Sequence, residues 1–236
     1  MYAFNMSMKK LRRFYFFTLP KILILFGFIS LTLAYGPIIK DEIWFAMKEA
    51  KSQEFILEDP QAQKDSVFAR FLTSRPISIE PVNKDFSIVI ERIGVNAPIV
   101  ADVSVTDEAA YMDALKNGIA HALTSNYPSN EPGNVYLFAH ASINFWQIGK
   151  YATVFNLVRK LETGDRIHVF YEQKDYVYRV VNKEYLKGWN TYPLTRPVIE
   201  PTLTLQTCDP PGTTINRLVV TANLVEVLPK EPEENL

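Results

Sequence analysis

The chain has 236 residues, of which 47% are hydrophobic and 22% are charged. These proportions exclude a disordered chain and a membrane protein with many spans, and the length suits one domain of about 100–200 residues with an appendage. The 25 basic and 26 acidic residues leave no positive excess for binding a nucleic-acid backbone. The single cysteine, Cys208, excludes an intrachain disulfide and a CxxC-type zinc site, so it is either inert packing or a reactive thiol.

The segment Ile22–Ile39 carries no charge over 18 residues. As a helix it covers about 27 Å, close to the ~30 Å hydrocarbon core of a bilayer. A cluster of four basic residues lies upstream of it, at Lys9, Lys10, Arg12 and Arg13. The positive-inside rule therefore predicts a cytoplasmic N-terminus at 1–13, a transmembrane anchor at 14–39 and an extracytoplasmic remainder. A cleaved signal peptide, with a weak site at Thr32–Ala34, and a buried core helix are the alternatives.

Residues 40–82 are predicted to connect this anchor to a folded domain. Their first part has apolar residues at helical spacing, among them Trp44 and Met47, so it is expected to be an amphipathic helix near the membrane or packed on the domain. The rest is polar and rich in proline, as in a stalk or a loosely held arm. The domain is predicted at 83–228, and the polar tail 229–236 is expected to be disordered.

Short β-branched segments separated by turns dominate the predicted domain. The predicted strands are Ser87–Ile90, Ala97–Val100, Val135–Ala139, Arg166–Tyr171, Tyr176–Glu184, Leu203–Cys208 and Leu218–Val227. One helix is predicted from Thr106 or Asp107 to about Gly118, and a second at Trp146–Leu161. Many short strands with few helices predict an all-β fold, a closed or nearly closed barrel.

Three residues that could carry chemistry lie at the ends of predicted strands. If the last two strands form an antiparallel hairpin, Cys208 and Arg217 can lie opposite each other, with Cβ atoms about 5 Å apart. A guanidinium there would lower the thiol pKa and could stabilise an oxyanion. His140 follows another strand and could protonate a leaving amine. Taken singly, each also fits an ordinary role: a buried thiol, a structural histidine or a surface arginine.

The sequence around these residues resembles the sortase family. The run TLQTC at 204–208, followed by Arg217 and a hydrophobic strand, resembles the signature TLxTC…R-hydrophobic-V. Pro132-Gly133-Asn134 and Ala139-His140 resemble the element PG-x-N…GH, with Ala139 where glycine is more usual. Residues 155–167 resemble the stretch F-x-x-L…G-D-x-I. The resemblance covers about residues 83–228. The run CDPP at 208–211 is more similar to class D, E and F sortases than to the calcium-stimulated class A. Asp59-Pro60 is followed by Gln61 and not by the aromatic residue of a class C lid.

This resemblance implies a closed, eight-stranded sortase-type β-barrel with a few short helices, preceded by the transmembrane helix. It implies a cysteine transpeptidase of the cell membrane that cleaves an LPxTG-like sorting signal between Thr and Gly. The acyl group would pass to an amine, either of a cell-wall precursor or of a pilin lysine. The implied chemistry requires no metal and no organic cofactor.

The resemblance also implies roles for individual residues. Cys208 would be the nucleophile that forms a thioacyl intermediate, His140 the general acid and base, and Arg217 the group that stabilises the oxyanion and holds the substrate. Substrate binding is expected to involve Thr207 and the loop at about 187–201, around Trp189 and Tyr192.

Other readings of the same residues remain open from the sequence. A sortase-like hydrolase would let water resolve the acyl-enzyme, and a non-catalytic surface barrel would only bind peptide. His168 is expected to be structural or exposed. His121 is expected either to be an ordinary loop residue or to lie at the rim of the active site.

Overall fold

A computed structural model describes the chain over residues 14–57, 76–141, 150–151, 153–188 and 190–229. The predictions for residues 1–13, for Asp59–Gln61, for Trp189 and for the tail beyond Pro229 lie outside the described residues.

The described residues form ten strands and three α-helices. The strands are β1 Phe55–Leu57, β2 Ile77–Ile79, β3 Phe86–Ile90, β4 Val95–Val103, β5 Ile119–Ala122, β6 Gly133–Phe138, β7 Arg166–Tyr171, β8 Lys174–Lys187, β9 Pro201–Asp209 and β10 Asn216–Leu228. The helices are α1 Leu19–Ala50, α2 Glu108–Asn117 and α3 Tyr192–Thr195. A π-helical turn, Phe14–Thr18, precedes α1, and two 3-10 turns lie at Glu91–Ile93 and Val158–Lys160.

Eight of these strands close into a barrel in the order β10-β8-β7-β3-β4-β5-β6-β9. The predicted all-β barrel is therefore confirmed. Two neighbouring pairs, β4–β5 and β6–β9, are parallel and the remaining pairs are antiparallel. Successive residues of a strand point to opposite faces, so Ile88 and Ile90 of β3 lie in the main core of the barrel. Val89 lies between them on the other face, and it packs with Ile79 and Phe170 in a smaller cluster.

The predicted anchor and the predicted amphipathic helix form one continuous helix, α1. Its apolar part has a mean hydropathy of 2.2 and contains no buried residue over an 18-residue window. This exposure excludes the alternative of a buried core helix, and α1 is long and apolar enough to cross a bilayer. The helix passes from this segment into its last turns without a break, although Pro37 lies inside it.

The last turns of α1 pack on the barrel. Phe45 is only 7% exposed and belongs to the main core, and the Trp44 ring lies 5.4 Å from the Phe55 ring. Glu42 forms ion pairs with Arg159 and, at 3.0 Å, with Lys160. Apolar burial and ion pairs thus fix the end of α1 against the barrel.

Part of the segment expected to be a loose arm is ordered. Strands β1 and β2 pair in parallel, with Phe55 opposite Ile77. Phe55 and Leu57 pack against the small cluster outside β3 and β7. The expectation of a stalk is therefore wrong at these two strands, because their apolar side chains cover the outer face of the barrel.

Two other expectations differ from the structure. Strand β5 is absent from the predicted strands. All four of its residues are buried, so they lack the alternation of buried and exposed side chains that indicates a strand. The helix expected at Trp146–Leu161 is wrong in its described part, where residues 153–157 form turns followed by the 3-10 turn. Backbone hydrogen bonds join the amide of Val158 to the carbonyl of Phe155 and the amide of Leu161 to the carbonyl of Val158. The three side chains are fully buried. Such turns produce nearly the same apolar spacing as an α-helix.

Candidate active site

Strands β9 and β10 bring Cys208 and Arg217 together. The two residues are direct partners in the antiparallel register, as the hairpin prediction requires. Nη1 of Arg217 donates a hydrogen bond to Sγ of Cys208 over 3.1 Å. The connecting turn occupies residues 210–215, slightly shorter than expected because both strands extend toward it. The sequence therefore places a cation directly on the thiol.

A cavity of about 510 Å³ opens beside this pair. It is bounded by the end of β6, the start of α2, the loop after β8 and the facing ends of β9 and β10. Its described lining comprises Val105, Thr106, Glu108, Tyr111, Tyr136, Phe138, Ala139, Gly188, Asn190, Thr191, Leu194, Gln206, Thr207, Cys208 and Arg217. The thiol thus faces a space that is apolar and aromatic on several sides and large enough for a few residues of peptide.

His140 follows β6, which runs parallel to β9. The last pair in that register is Phe138 with Gln206, and His140 and Cys208 each follow that pair by two residues. Its ring makes an edge contact with Tyr111, with centroids 5.8 Å apart. Nε2 is buried and has no hydrogen-bond partner among the described residues. His140 itself is not in the lining of the cavity, although its neighbour Ala139 is.

Three hydrogen bonds fix the backbone on both sides of His140. The hydroxyl of Thr207 donates to the carbonyl of Ala139 over 2.9 Å, and the Ala139 amide donates to the carbonyl of Gln206 over 3.2 Å. On the other side, the Gly212 amide donates to the carbonyl of Ala141 over 2.7 Å. The histidine and the thiol are therefore held by one hydrogen-bonded segment, and the Thr207 hydroxyl is engaged within it.

Burial shifts the protonation equilibria of both groups toward their neutral forms. It raises the pKa of the Cys208 thiol, and the charge and hydrogen bond of Arg217 lower that pKa by a smaller amount. Arg217 lowers the pKa of the thiol, as the sequence predicts, but the larger effect of burial leaves this pKa above its ordinary value. Burial also lowers the pKa of His140. In the free protein both groups are therefore neutral over a wider pH range than exposed groups would be.

Two tyrosines in the cavity were not expected to belong to the site. Tyr111 on α2 stacks on Phe138, with centroids 5.5 Å apart, and its pKa is raised, chiefly by burial and also by the nearby charge of Cys208. The hydroxyl of Tyr136 donates to Oε1 of Gln206 over 2.5 Å. Gln206 is the variable position in TLQTC, and in the register of β9 with β6 it lies opposite Phe138, two residues after Tyr136.

The loop after β8 contributes to the site through other residues than those expected. Tyr192 is 62% exposed and does not line the cavity, and Trp189 lies outside the described residues. Gly188, Thr191 and Leu194 line it instead. A Cβ atom at Gly188 would lie 2.6 Å from the carbonyl oxygen of Thr214, so this close approach requires glycine.

The other two histidines lie away from this cavity. His121 is fully buried in β5, and its Nε2 lies 2.9 Å from the Ser125 hydroxyl and 3.0 Å from the carbonyl of Asn126. It is therefore not at the rim of the cavity. His168 pairs with buried Asp175 over 2.8 Å, a structural contact. Among the residues that the structure describes, no group of three or more His, Cys, Asp or Glu side chains is arranged to hold a metal ion.

Comparison with known proteins gives one family. The family model described as the sortase domain matches residues 88–225, more than half of the chain. Sortase C-1 from Actinomyces oris is 26% identical, with a TM-score of 0.51 over 61% of this chain and 76% of that chain. Sortase E1 from Streptomyces coelicolor, whose structure contains a tripeptide in the active site, is 21% identical, with a TM-score of 0.50 over 63% and 94%. The second likeness concerns the fold alone. No curated protein sequence matches the chain.

Proposed function

Because the chain belongs to the sortase family, we propose that it is a membrane-anchored cysteine transpeptidase acting on LPxTG-like sorting signals. The enzyme cleaves the signal between Thr and Gly and transfers the threonyl group to an amine. The observation that carries this proposal is the hydrogen bond of 3.1 Å between Arg217 and the thiol of Cys208, inside a cavity of peptide size. The partners are proteins with a sorting signal and an amine acceptor on a cell-wall precursor or a pilin lysine.

Acylation begins with the thiol of Cys208 and the imidazole of His140, both neutral in the free protein. Transfer of the thiol proton to His140 produces the thiolate, which attacks the threonyl carbonyl and forms a carbon–sulfur bond. The carbon–nitrogen bond then breaks, and the imidazolium returns the same proton to the leaving glycine amine. The step balances without a metal or an added proton source.

Arg217 supports two charged species in this sequence. Its guanidinium lies on the sulfur, so it stabilises the thiolate that attacks. The carbonyl oxygen becomes negative beside that sulfur in the tetrahedral intermediate, and a donor at this place stabilises it as well. The paired register of β9 and β10 keeps this donor in place before substrate arrives.

The thioester is resolved by an amine. The incoming amine attacks the thioacyl carbon and His140 accepts its proton. The carbon–sulfur bond then breaks to release the thiolate of Cys208, which recovers that proton from the imidazolium. A thioester keeps its acyl group activated for transfer, so a covalent intermediate suits ligation.

The membrane position follows from α1 and its flanking charges. The exposed apolar part of α1 spans the bilayer, and the basic residues before it favour a cytoplasmic N-terminus. The barrel then lies outside the membrane, where sorting signals and envelope amines meet.

The test is mass spectrometry of the full chain in detergent with an LPxTG-type peptide, with and without a glycine-based amine. We expect an acyl adduct on Cys208 and a ligated product that requires the amine. Cys208→Ala should abolish both, whereas Ser129→Ala, at a turn before β6, should change neither. Cleavage that ignores the amine would identify a hydrolase, and binding without any adduct would identify a non-catalytic barrel.

A further inference from the structure

One wall of the cavity is formed by the loop between β8 and β9. This loop spans residues 188–200 and contains the four-residue helix α3. Thr191 and Leu194 line the cavity, and Leu194 also packs against the main core. A helix this short has little stability of its own, so its position depends on contacts with the barrel.

Arg196, directly after α3, makes those contacts with three neighbouring strands. Its Nη2 donates to Oγ1 of Thr204 on β9 over 3.1 Å and to Oγ1 of Thr221 on β10 over 2.6 Å. Its Nη1 lies 3.5 Å from Oε1 of Glu184 on β8. The side chain is only 15% exposed, so these are largely desolvated charged contacts. One planar guanidinium thus joins the loop to three strands.

Two further hydrogen bonds connect Thr204 to α3 through Asn134. Thr204, which accepts from Arg196, donates its hydroxyl proton to Oδ1 of Asn134 on β6 over 2.7 Å. Nδ2 of Asn134 donates to the carbonyl of Pro193 inside α3 over 3.0 Å. The helix is therefore held both at its end and in its middle. We call this set the α3 latch: Asn134, Glu184, Pro193, Arg196, Thr204 and Thr221.

The α3 latch does not touch the reacting groups. Thr204 precedes Cys208 by four residues along β9, and Thr221 follows Arg217 by four along β10. At about 3.3 Å per residue the latch lies about 13 Å from the thiol. Its effect on the reaction must therefore pass through the wall of the cavity that Thr191 and Leu194 form.

We propose that Arg196 is a positioning residue that sets the affinity for the acyl-donor peptide by holding the 188–200 loop in its binding position. The inference rests on the proposed function, because the acyl donor is taken to be the sorting signal. Loss of the guanidinium leaves two hydroxyl groups and a carboxylate without their partner. Lysine keeps the charge but has no planar fork to reach two hydroxyls and a carboxylate together. The loop then samples other positions, and the peptide binds more weakly because its binding must also order the loop.

The kinetic test uses the full chain with Arg196→Gln and Arg196→Lys. We expect KM for the peptide to rise at least about tenfold in Arg196→Gln, because the guanidinium donates two hydrogen bonds and the loss of one charged hydrogen bond already has about this effect. The value of kcat and the rate of Cys208 alkylation by iodoacetamide should stay within about twofold. Arg196→Lys should be intermediate. The matched control is Arg166→Gln, which removes an exposed arginine from β7.

A second readout does not depend on activity. Hydrogen–deuterium exchange should accelerate in Arg196→Gln at the amides of Leu194 and Arg196, which donate to Thr191 and Tyr192 in the native loop. An unchanged KM, an unchanged exchange rate, or a parallel loss of kcat, alkylation and thermal stability would overturn the positioning role. Absence of any acyl adduct in the unaltered protein would instead refute the proposed function, and exchange would still test the latch.

Discussion

Cys208 and Arg217 form a direct cross-strand pair in which the guanidinium donates to the thiol, while burial of the thiol has the larger effect on its pKa. Burial therefore favours the protonated thiol, while the neighbouring guanidinium favours its anion. In the proposed mechanism such a thiol becomes a nucleophile when its proton is removed.

Removal of Arg217 should affect both the thiol and the transition state. We expect Arg217→Gln to lower kcat/KM for the peptide by about 10²–10³, because one donor to a developing oxyanion has about this effect. The pKa of Cys208 should rise further, since Arg217 is the group that lowers it. Peptide cleavage and pH-dependent alkylation measure the two effects. Arg166→Gln should leave both at the level of the unaltered protein, and equal effects of the two variants would contradict the assignment.

The reactivity of Cys208 should depend on pH with a high midpoint. Because its folded-state pKa is raised, the thiolate fraction at neutral pH is smaller than for a free thiol, and alkylation should increase until above the ordinary thiol pKa. Iodoacetamide rates between about pH 6 and 11, compared with those of N-acetylcysteine, give this midpoint. A midpoint at or below that of the free thiol would mean that Arg217 outweighs burial.

The hydroxyl of Thr207 should matter for catalysis through His140. Thr207→Val keeps the shape but removes the hydrogen bond to Ala139, at a cost of about 1 kcal/mol in the free energy of unfolding. We expect kcat to fall severalfold because the residue before His140 loses its tie to β9. Thr202→Val is the matched control, since Thr202 is also buried on β9 and donates to the carbonyl of Glu200. If kcat falls equally in both variants, the effect is general to β9.

Docking of α1 should contribute to the stability of the barrel. Phe45→Ala should lower the free energy of unfolding by about 3 kcal/mol, the usual cost of removing a buried ring. Thermal or denaturant unfolding of the full chain in detergent measures this loss. Ile43→Ala is the control, because Ile43 is 54% exposed on the same turn of the helix. Similar losses in both variants would contradict a docked helix.

The sequence predicts the parts of the site that depend on local order. Cys208 and Arg217 flank a short turn, so an antiparallel hairpin brings them together whatever the rest of the barrel does. The place of His140 needs one further step, the parallel pairing of β6 with β9, which the motif resemblance supplies but periodicity does not.

The remaining parts depend on packing between distant segments. Tyr111 lies on a helix that has no chemical signature, and only the closure of the barrel brings it next to His140. In the sequence, nothing distinguishes Arg196 from other arginines in loops, and nothing distinguishes its partners Thr204 and Thr221 from other threonines in strands. The sequence does not predict that the apolar span and the amphipathic helix are continuous. The charged residues Lys40, Asp41 and Glu42 indicate a boundary there, although they lie within one helix.

Under the proposed membrane anchoring, the unbroken α1 determines how the barrel is oriented at the bilayer. A helix turns by about 100° and rises about 1.5 Å for each residue. The number of residues before the docked turns therefore sets the direction in which the cavity opens around the membrane normal. One residue inserted between Ile39 and Lys40 would swing the cavity by more than a quarter of a circle yet barely change its height. Seven inserted residues would nearly restore the direction and raise the cavity by about 10 Å. The length of one helix thus sets both the angle and the height of the cavity.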